Sequence, residues 1–133
     1  MATITATKAA AGIQPKGLRV GLVAVTSTYS LGASLSVGDV IQMIKVPAGA
    51  TPVYIALTGV AGAGSVNVGD GISTARYISN YLISAASTIA TINTLYTPYT
   101  YSVDDTIDIL ASAVSTSAAT GGFNLLAIFS MDT

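Results

Sequence analysis

No cysteine, histidine, tryptophan or glutamate occurs anywhere in the sequence. Without cysteine there are no disulfides to staple the fold and no thiol chemistry. Without histidine and glutamate the usual general bases, nucleophile activators and zinc ligands are missing. Charge is scarce as well. Charged residues make up 8% of the chain, against about 25% in an ordinary soluble domain. The net charge of −1 and five scattered basic residues make no patch for nucleic acid.

What is present is apolar and hydroxylic. Hydrophobic residues make up 51% of the chain, the mean hydropathy is +0.67, and Ser, Thr and Asn supply most of the polarity. Free monomers normally keep a charged surface for solubility. This chain therefore either enters a membrane or hides much of its surface against protein. The charge-free windows 46–69, 77–103 and 109–131 are each interrupted by Pro, Gly, Asn or Ser/Thr runs. None is the continuous apolar stretch of about 20 residues that a spanning helix needs. The chain is also short for an outer-membrane barrel. The N-terminus has no apolar region of the secretory type. Neither a membrane nor nucleic acid is expected as a partner.

The organising stretch is SVGDVIQMIKVPAGATPVYIAL, residues 36–57. Residues 40–46 are rich in β-branched side chains, with Val40, Gln42, Ile44 and Val46 sharing one face. Pro47-Ala48-Gly49-Ala50 is turn material. Val53, Ile55 and Leu57 alternate with Tyr54, Ala56 and Thr58, the period of a strand with one buried face. Residues 18–29 form the first strong strand, apolar on both faces past Arg19, which predicts cover on two sides. A short strand is predicted at 65–68, and residues 76–83 read as another strand or an irregular crossing. Residues 84–94 read as a helical turn or loop. Residues 95–101, LYTPYTY, read as an edge strand or bulge because Pro98 cannot donate to a ladder. Strands at 106–112 and 123–131 close the chain. With about eight strands, turn signals between them and no amphipathic helix, the expectation is an all-β jelly-roll sandwich. Residues 1–17 form an N-terminal extended arm and residues 18–133 the domain. The arm, small and polar around Ile4, Lys8 and Ile13, either packs along its own domain or lies on a neighbouring subunit.

Candidate chemistry is thin. Asp104, Asp105 and Asp108 form the one acidic cluster. Calcium takes hard oxygen ligands of this kind, but the spacing fits no EF-hand loop, and a solvated turn is the favoured reading; no metal or other cofactor is assigned. The Gly-rich run 59–64 lacks the Lys-Ser/Thr and helix of a phosphate loop. A glycosidase needs an acid in an apolar pocket and a cleft of stacking aromatics, which nothing here marks. No catalytic residue is assigned, and the chain is read as a non-enzyme. Tyr96, Tyr99 and Tyr101 cluster beside Pro98. Aromatics of this kind are enriched in interface cores, so these three join Ile4, Lys8 and Ile13 as candidate interface residues.

The segments GDVIQMIKVPAGATPVYIAL, VNVGDG, RYIS and DDTIDI together resemble the small jelly-roll structural proteins of tailed bacteriophages, several of which are capsid decoration, or cement, proteins. The likeness runs from about residue 18 to the C-terminus and rests on a pattern of strands and turns. It implies a homotrimer on the outer surface of the virion head that bridges neighbouring major capsid protein subunits and stabilises their lattice. It carries no catalytic or binding residue. The alternative is a tail, baseplate or fibre-head module that binds host surface glycan. A further alternative is a β-rich adhesin or shell subunit of a cell. Copy number separates the first two, since decoration implies hundreds of copies per particle and a tail-tip module a handful.

Overall fold

The computed structural model describes residues 2–6, 21–31, 36–59, 64–83, 88–92, 98–112 and 121–131. Within them are nine strands: β1 (Thr3–Thr5), β2 (Gly21–Leu31), β3 (Val40–Val46), β4 (Ala50–Gly59), β5 (Gly64–Gly69), β6 (Ile78–Ile83), β7 (Thr88–Thr91), β8 (Asp105–Ala111) and β9 (Gly121–Met131). Among the described residues no helix is long and apolar enough to cross a membrane.

The strands form two sheets, ordered β1-β3-β8-β5-β6 and β2-β9-β4-β7. Their pairing is nested. β2 pairs with β9, β3 with β8, β4 with β7 and β5 with β6, all antiparallel. Successive nested pairs fall in alternate sheets, and β4·β9 and β5·β8 join the pairs within each sheet. This is the two-sheet, eight-stranded jelly roll. β1 is additional, lying parallel to β3 at its free edge with Thr3 beside Val40 and Thr5 beside Gln42.

The core lies between the sheets and follows the period of two. Ile107, Ile109 and Ala111 of β8 face Phe123, Leu125, Ala127 and Phe129 of β9, with Ile55, Leu57, Val66 and Val68 completing the layer, all nearly or fully buried. Three bulges break the alternation, and those in β3 and β4 change the expected side of a residue. In β3 the register shifts between Gln42 and Ile44, so Ile44 and Val46 face inward with Ile41 and Met43, and not with Gln42. In β4 it shifts between Pro52 and Tyr54. Proline is tolerated in sheets at such bulges, and the extra residue, Val53, turns outward at 44% exposure. In β6 the irregularity falls near Asn80, whose φ of 50° is a conformation that asparagine adopts more readily than most residues.

Two further expectations are corrected. β7 stands where a helical turn or loop was read, while residues 98–101 of the expected tyrosine strand are irregular chain. Thr88, Ile89 and Thr91 favour a strand, but four residues are a short signal behind an Ala/Ser run, and pairing with β4 fixes them. β2 is covered on one side only: Leu22 and Ala24 are exposed. As the edge of a two-layer sandwich it has core beneath it and no third layer above.

Candidate functional site

Three connections meet at one end of the sandwich: the β3–β4 turn, the β5–β6 loop of residues 70–77, and residues 98–104 ahead of β8. Backbone contacts tie them together. Gly49 N–H donates to the Tyr101 carbonyl at 2.7 Å and Tyr101 N–H donates to the Ala50 carbonyl at 3.0 Å. Ala48 N–H donates to Asp104 Oδ1 at 2.9 Å.

At the centre is Asp70, 1% exposed. Its Oδ1 accepts from the backbone N–H of Ile72 at 3.0 Å and of Ser73 at 2.8 Å, the local turn to which aspartate is suited. Arg76 Nε donates to Oδ2 at 2.5 Å, and the Tyr101 hydroxyl donates to the same oxygen at 3.0 Å. Tyr77 and Tyr101 hydroxyls lie 2.5 Å apart. A carboxylate can only accept, so the Tyr101 proton points at Asp70 and Tyr77 is the donor to Tyr101. Arg76 also lies over the ring of Tyr99, 3.7 Å from its centroid, and Tyr99 meets Tyr101 edge-on at 5.1 Å between centroids.

The electrostatics follow from these partners. Burial disfavours the Asp70 charge, but the Arg76 side chain, the Ser73 N–H, the Tyr101 hydroxyl and the Ile72 N–H outweigh it, and the carboxyl is held below its ordinary value. Burial, then the Tyr77 hydrogen bond, push the Tyr101 phenol far up. An ionised, fully engaged carboxylate and a phenol held neutral suit a clamp that fixes loops rather than proton transfer.

A second buried acid lies beside the clamp. Asp108 of β8 points to the outer side of its sheet yet is 8% exposed. Its ladder neighbour Gly69 lies directly beneath the 70–77 loop: a Cβ there would meet the Ser73 carbonyl oxygen at 2.1 Å. The loop that covers Gly69 shields Asp108 too. Burial, opposed by the 2.7 Å hydrogen bond from Thr106 Oγ1 and assisted by the negative charges of Asp105 and Asp70, pushes its carboxyl up to about 7.

The candidate interface residues fare differently. Ile4 lies in β1, partly buried against the core. Tyr99 is half-buried in the clamp. Tyr101 is 2% exposed and belongs to the core: the acceptor on Asp70 draws its hydroxyl inward, which the sequence alone does not reveal. Lys8, Ile13 and Tyr96 lie outside the described residues. The three acids of the cluster take different partners. Asp104 caps the β3–β4 turn, Asp105 Oδ1 accepts from Thr106 N–H at 2.8 Å, and Asp108 is covered. Among the described residues no group of three acidic side chains is placed to hold a metal ion. Asp70, Arg76 and Tyr77 were missed as partners. Their one signal was an aspartate and an arginine six positions apart in a chain nearly free of charge.

Fold and clamp define the class: an all-β jelly roll, closed at one end by a buried ionic cluster. The chain is similar to one in the capsid of Ralstonia phage GP4, with a TM-score of 0.82 and 16% identity over 98% of this chain and 99% of that one. It is also similar to a chain of the cyanophage Pam1 capsid asymmetric unit (TM-score 0.71, 20% identity, 90% and 91% covered) and to one in the acidic stable capsid of Helicobacter pylori bacteriophage KHP30 (0.60, 15%, 87% and 92%). At these identities the likeness concerns the fold. No protein-family model matches the sequence, and no curated protein does.

Proposed function

We propose that the chain is a structural protein of a bacteriophage virion, a decoration protein that sits on the outer surface of the head as a homotrimer and stabilises the lattice of the major capsid protein. The observation that carries this reading is the end-to-end superposition on a chain of the Ralstonia phage GP4 capsid, with 98% of one chain and 99% of the other covered. The superposition takes in nearly the whole of both chains. The resemblance of the strand-and-turn segments to phage decoration proteins, and a composition too poor in charge for a solitary soluble monomer, support the same reading.

The mechanism is multivalent burial. Each Å² of apolar surface removed from water contributes about 25 cal/mol, less the ordering cost of association. Contacts that are weak singly become strong when a trimer engages several shell subunits together. The test uses heads assembled without the chain. Adding purified protein is expected to load them in proportion to the shell subunit and to raise the temperature at which they release DNA. Absence from the heads, with a few copies found at the tail instead, overturns the reading.

A further inference from the structure

Resting on that capsid reading, we infer that the outer face of the β2-β9-β4-β7 sheet is the surface laid against the shell, and that its partner is an uncharged, hydroxyl- and methyl-rich face of the shell protein. The two outer faces of the sandwich differ in kind. Every charged side chain among the described residues lies outside this sheet, on or beside the other sheet or in the turns. The other sheet presents Lys45, Gln42 and Asn67 outward, and the loop over Gly69 rises from it. The β2-β9-β4-β7 sheet carries no charge on any of its four strands.

Its outward rows can be read from the register. Ala24, Ile128 and Tyr54 form one row, and Thr28, Asn124 and Thr58 another. Between them a groove of about 420 Å³ is lined by Thr26, Ala56 and Leu126 together with the second row. Leu22, at the β2 end of this face, is 70% exposed and Tyr54 is 38% exposed. Soluble proteins normally blunt such a face and its edge with charge or proline. β2 has neither, and it pairs with β9 in unbroken register from Gly21 to Leu31. The other sheet edges are short, as in β1 and β7, or irregular, as in β6.

Size and charge point to the occupant. With strands about 4.8 Å apart and a rise of about 3.4 Å per residue, β2, β9 and β4 make a face roughly 35 Å long and about 14 Å across, widened by the short β7 at one end. That is a little over half of the roughly 800 Å² per partner of a standard protein interface, a contact suited to repetition over a lattice. A matching charged surface would leave its ions desolvated and unpaired here, so the partner patch is neutral. Stacking this face on a second copy's face would close an isologous two-fold dimer, which does not build the threefold assembly proposed above.

The experiment loads chain-free heads with three proteins: the natural chain, the double variant Thr26→Lys/Thr28→Lys on this face, and Leu82→Lys on the opposite sheet as a control for added charge. Circular dichroism melts establish that all three fold. The face variant is expected to load at least about tenfold more weakly, with the control unchanged. Natural chain that fails to load overturns the capsid reading and this inference with it. Equal loading of the face variant, with natural chain loading normally, overturns the inference alone. So does a two-fold dimer in sedimentation velocity that the face variant abolishes while loading persists, because the face would then belong to a second copy.

Discussion

The Tyr101 hydroxyl reaches the Asp70 carboxylate at 3.0 Å across 31 positions of sequence, joining the approach to β8 to the β5–β6 loop. Both groups are nearly excluded from water. Tyr101→Phe removes one donor from the carboxylate and leaves the Tyr77 hydroxyl without its acceptor on Tyr101. A buried polar group stripped of a partner costs about 1–3 kcal/mol, so the variant is expected to lose stability in that range by urea denaturation. Asp70→Ala strips Arg76 and Tyr101 together and is expected to lose more.

Asp108 gives stability a pH dependence opposite to that of Asp70. Its folded carboxyl titrates at about 7, above the unfolded value of about 3.9. The folded state holds the proton more tightly, so this contribution is fully present below about pH 4 and is lost as pH rises through about 7. Asp70, with its carboxyl lowered, contributes stability above about pH 4 that is lost as pH falls through its folded value. Asp108→Asn is expected to stabilise the protein most at pH 8, to do so progressively less towards pH 4, and to flatten the fall in unfolding free energy between them. A variant whose stability tracks the natural chain at every pH would show that Asp108 is solvated.

Much of the roll was legible because its strands are bounded by Gly, Pro, Asn and Asp turns and alternate in apolarity. Phe123, Leu125, Ala127 and Phe129 all take the side that the period of two assigns. The departures have local causes. Val53 and Ile44 change sides because bulges reset the period, and a bulge leaves little trace in the amino-acid order. β7 was missed because its strand-forming Thr88, Ile89 and Thr91 span only four positions behind an Ala/Ser run, too short a signal without the partner β4. The clamp was illegible because Asp70 and Tyr101 meet only once three loops converge, and Asp108, read as part of a solvated turn, is buried because a loop whose path depends on that same convergence covers it.

β1 places the N-terminal residues 3–5 on the chain's own sheet, and Ala6 beyond them is fully buried. Deleting residues 1–6 is expected to leave the eight-stranded roll folded, with a far-ultraviolet spectrum still of β type and a melting temperature lower by several degrees. It also bares the edge of β3, an apolar strand interrupted only by Gln42 and Lys45. Uncovered edges of this kind recruit other strands, so light scattering on heating is expected to rise more steeply than for the intact chain. Unchanged melting and scattering would mean that β1 contributes nothing to the edge it covers.

Gly69 couples the clamp to the buried acid. A methyl group there would stand 2.1 Å from the Ser73 carbonyl oxygen and 2.4 Å from the Thr74 carbonyl carbon. These are backbone atoms that no rotamer change can move aside, so Gly69→Ala must displace the 70–77 loop or distort β5. Overpacking of this kind costs about 1–3 kcal/mol. If the loop lifts, water reaches Asp108, its carboxyl pKa falls towards the ordinary aspartate range, and the loss of stability between pH 4 and pH 8 shrinks. Gly69→Ala is therefore expected to be destabilising at pH 5 and less so at pH 8, and its double variant with Asp108→Asn should show no such convergence. An equal loss at both pH values would assign the strain to β5 and leave the loop in place.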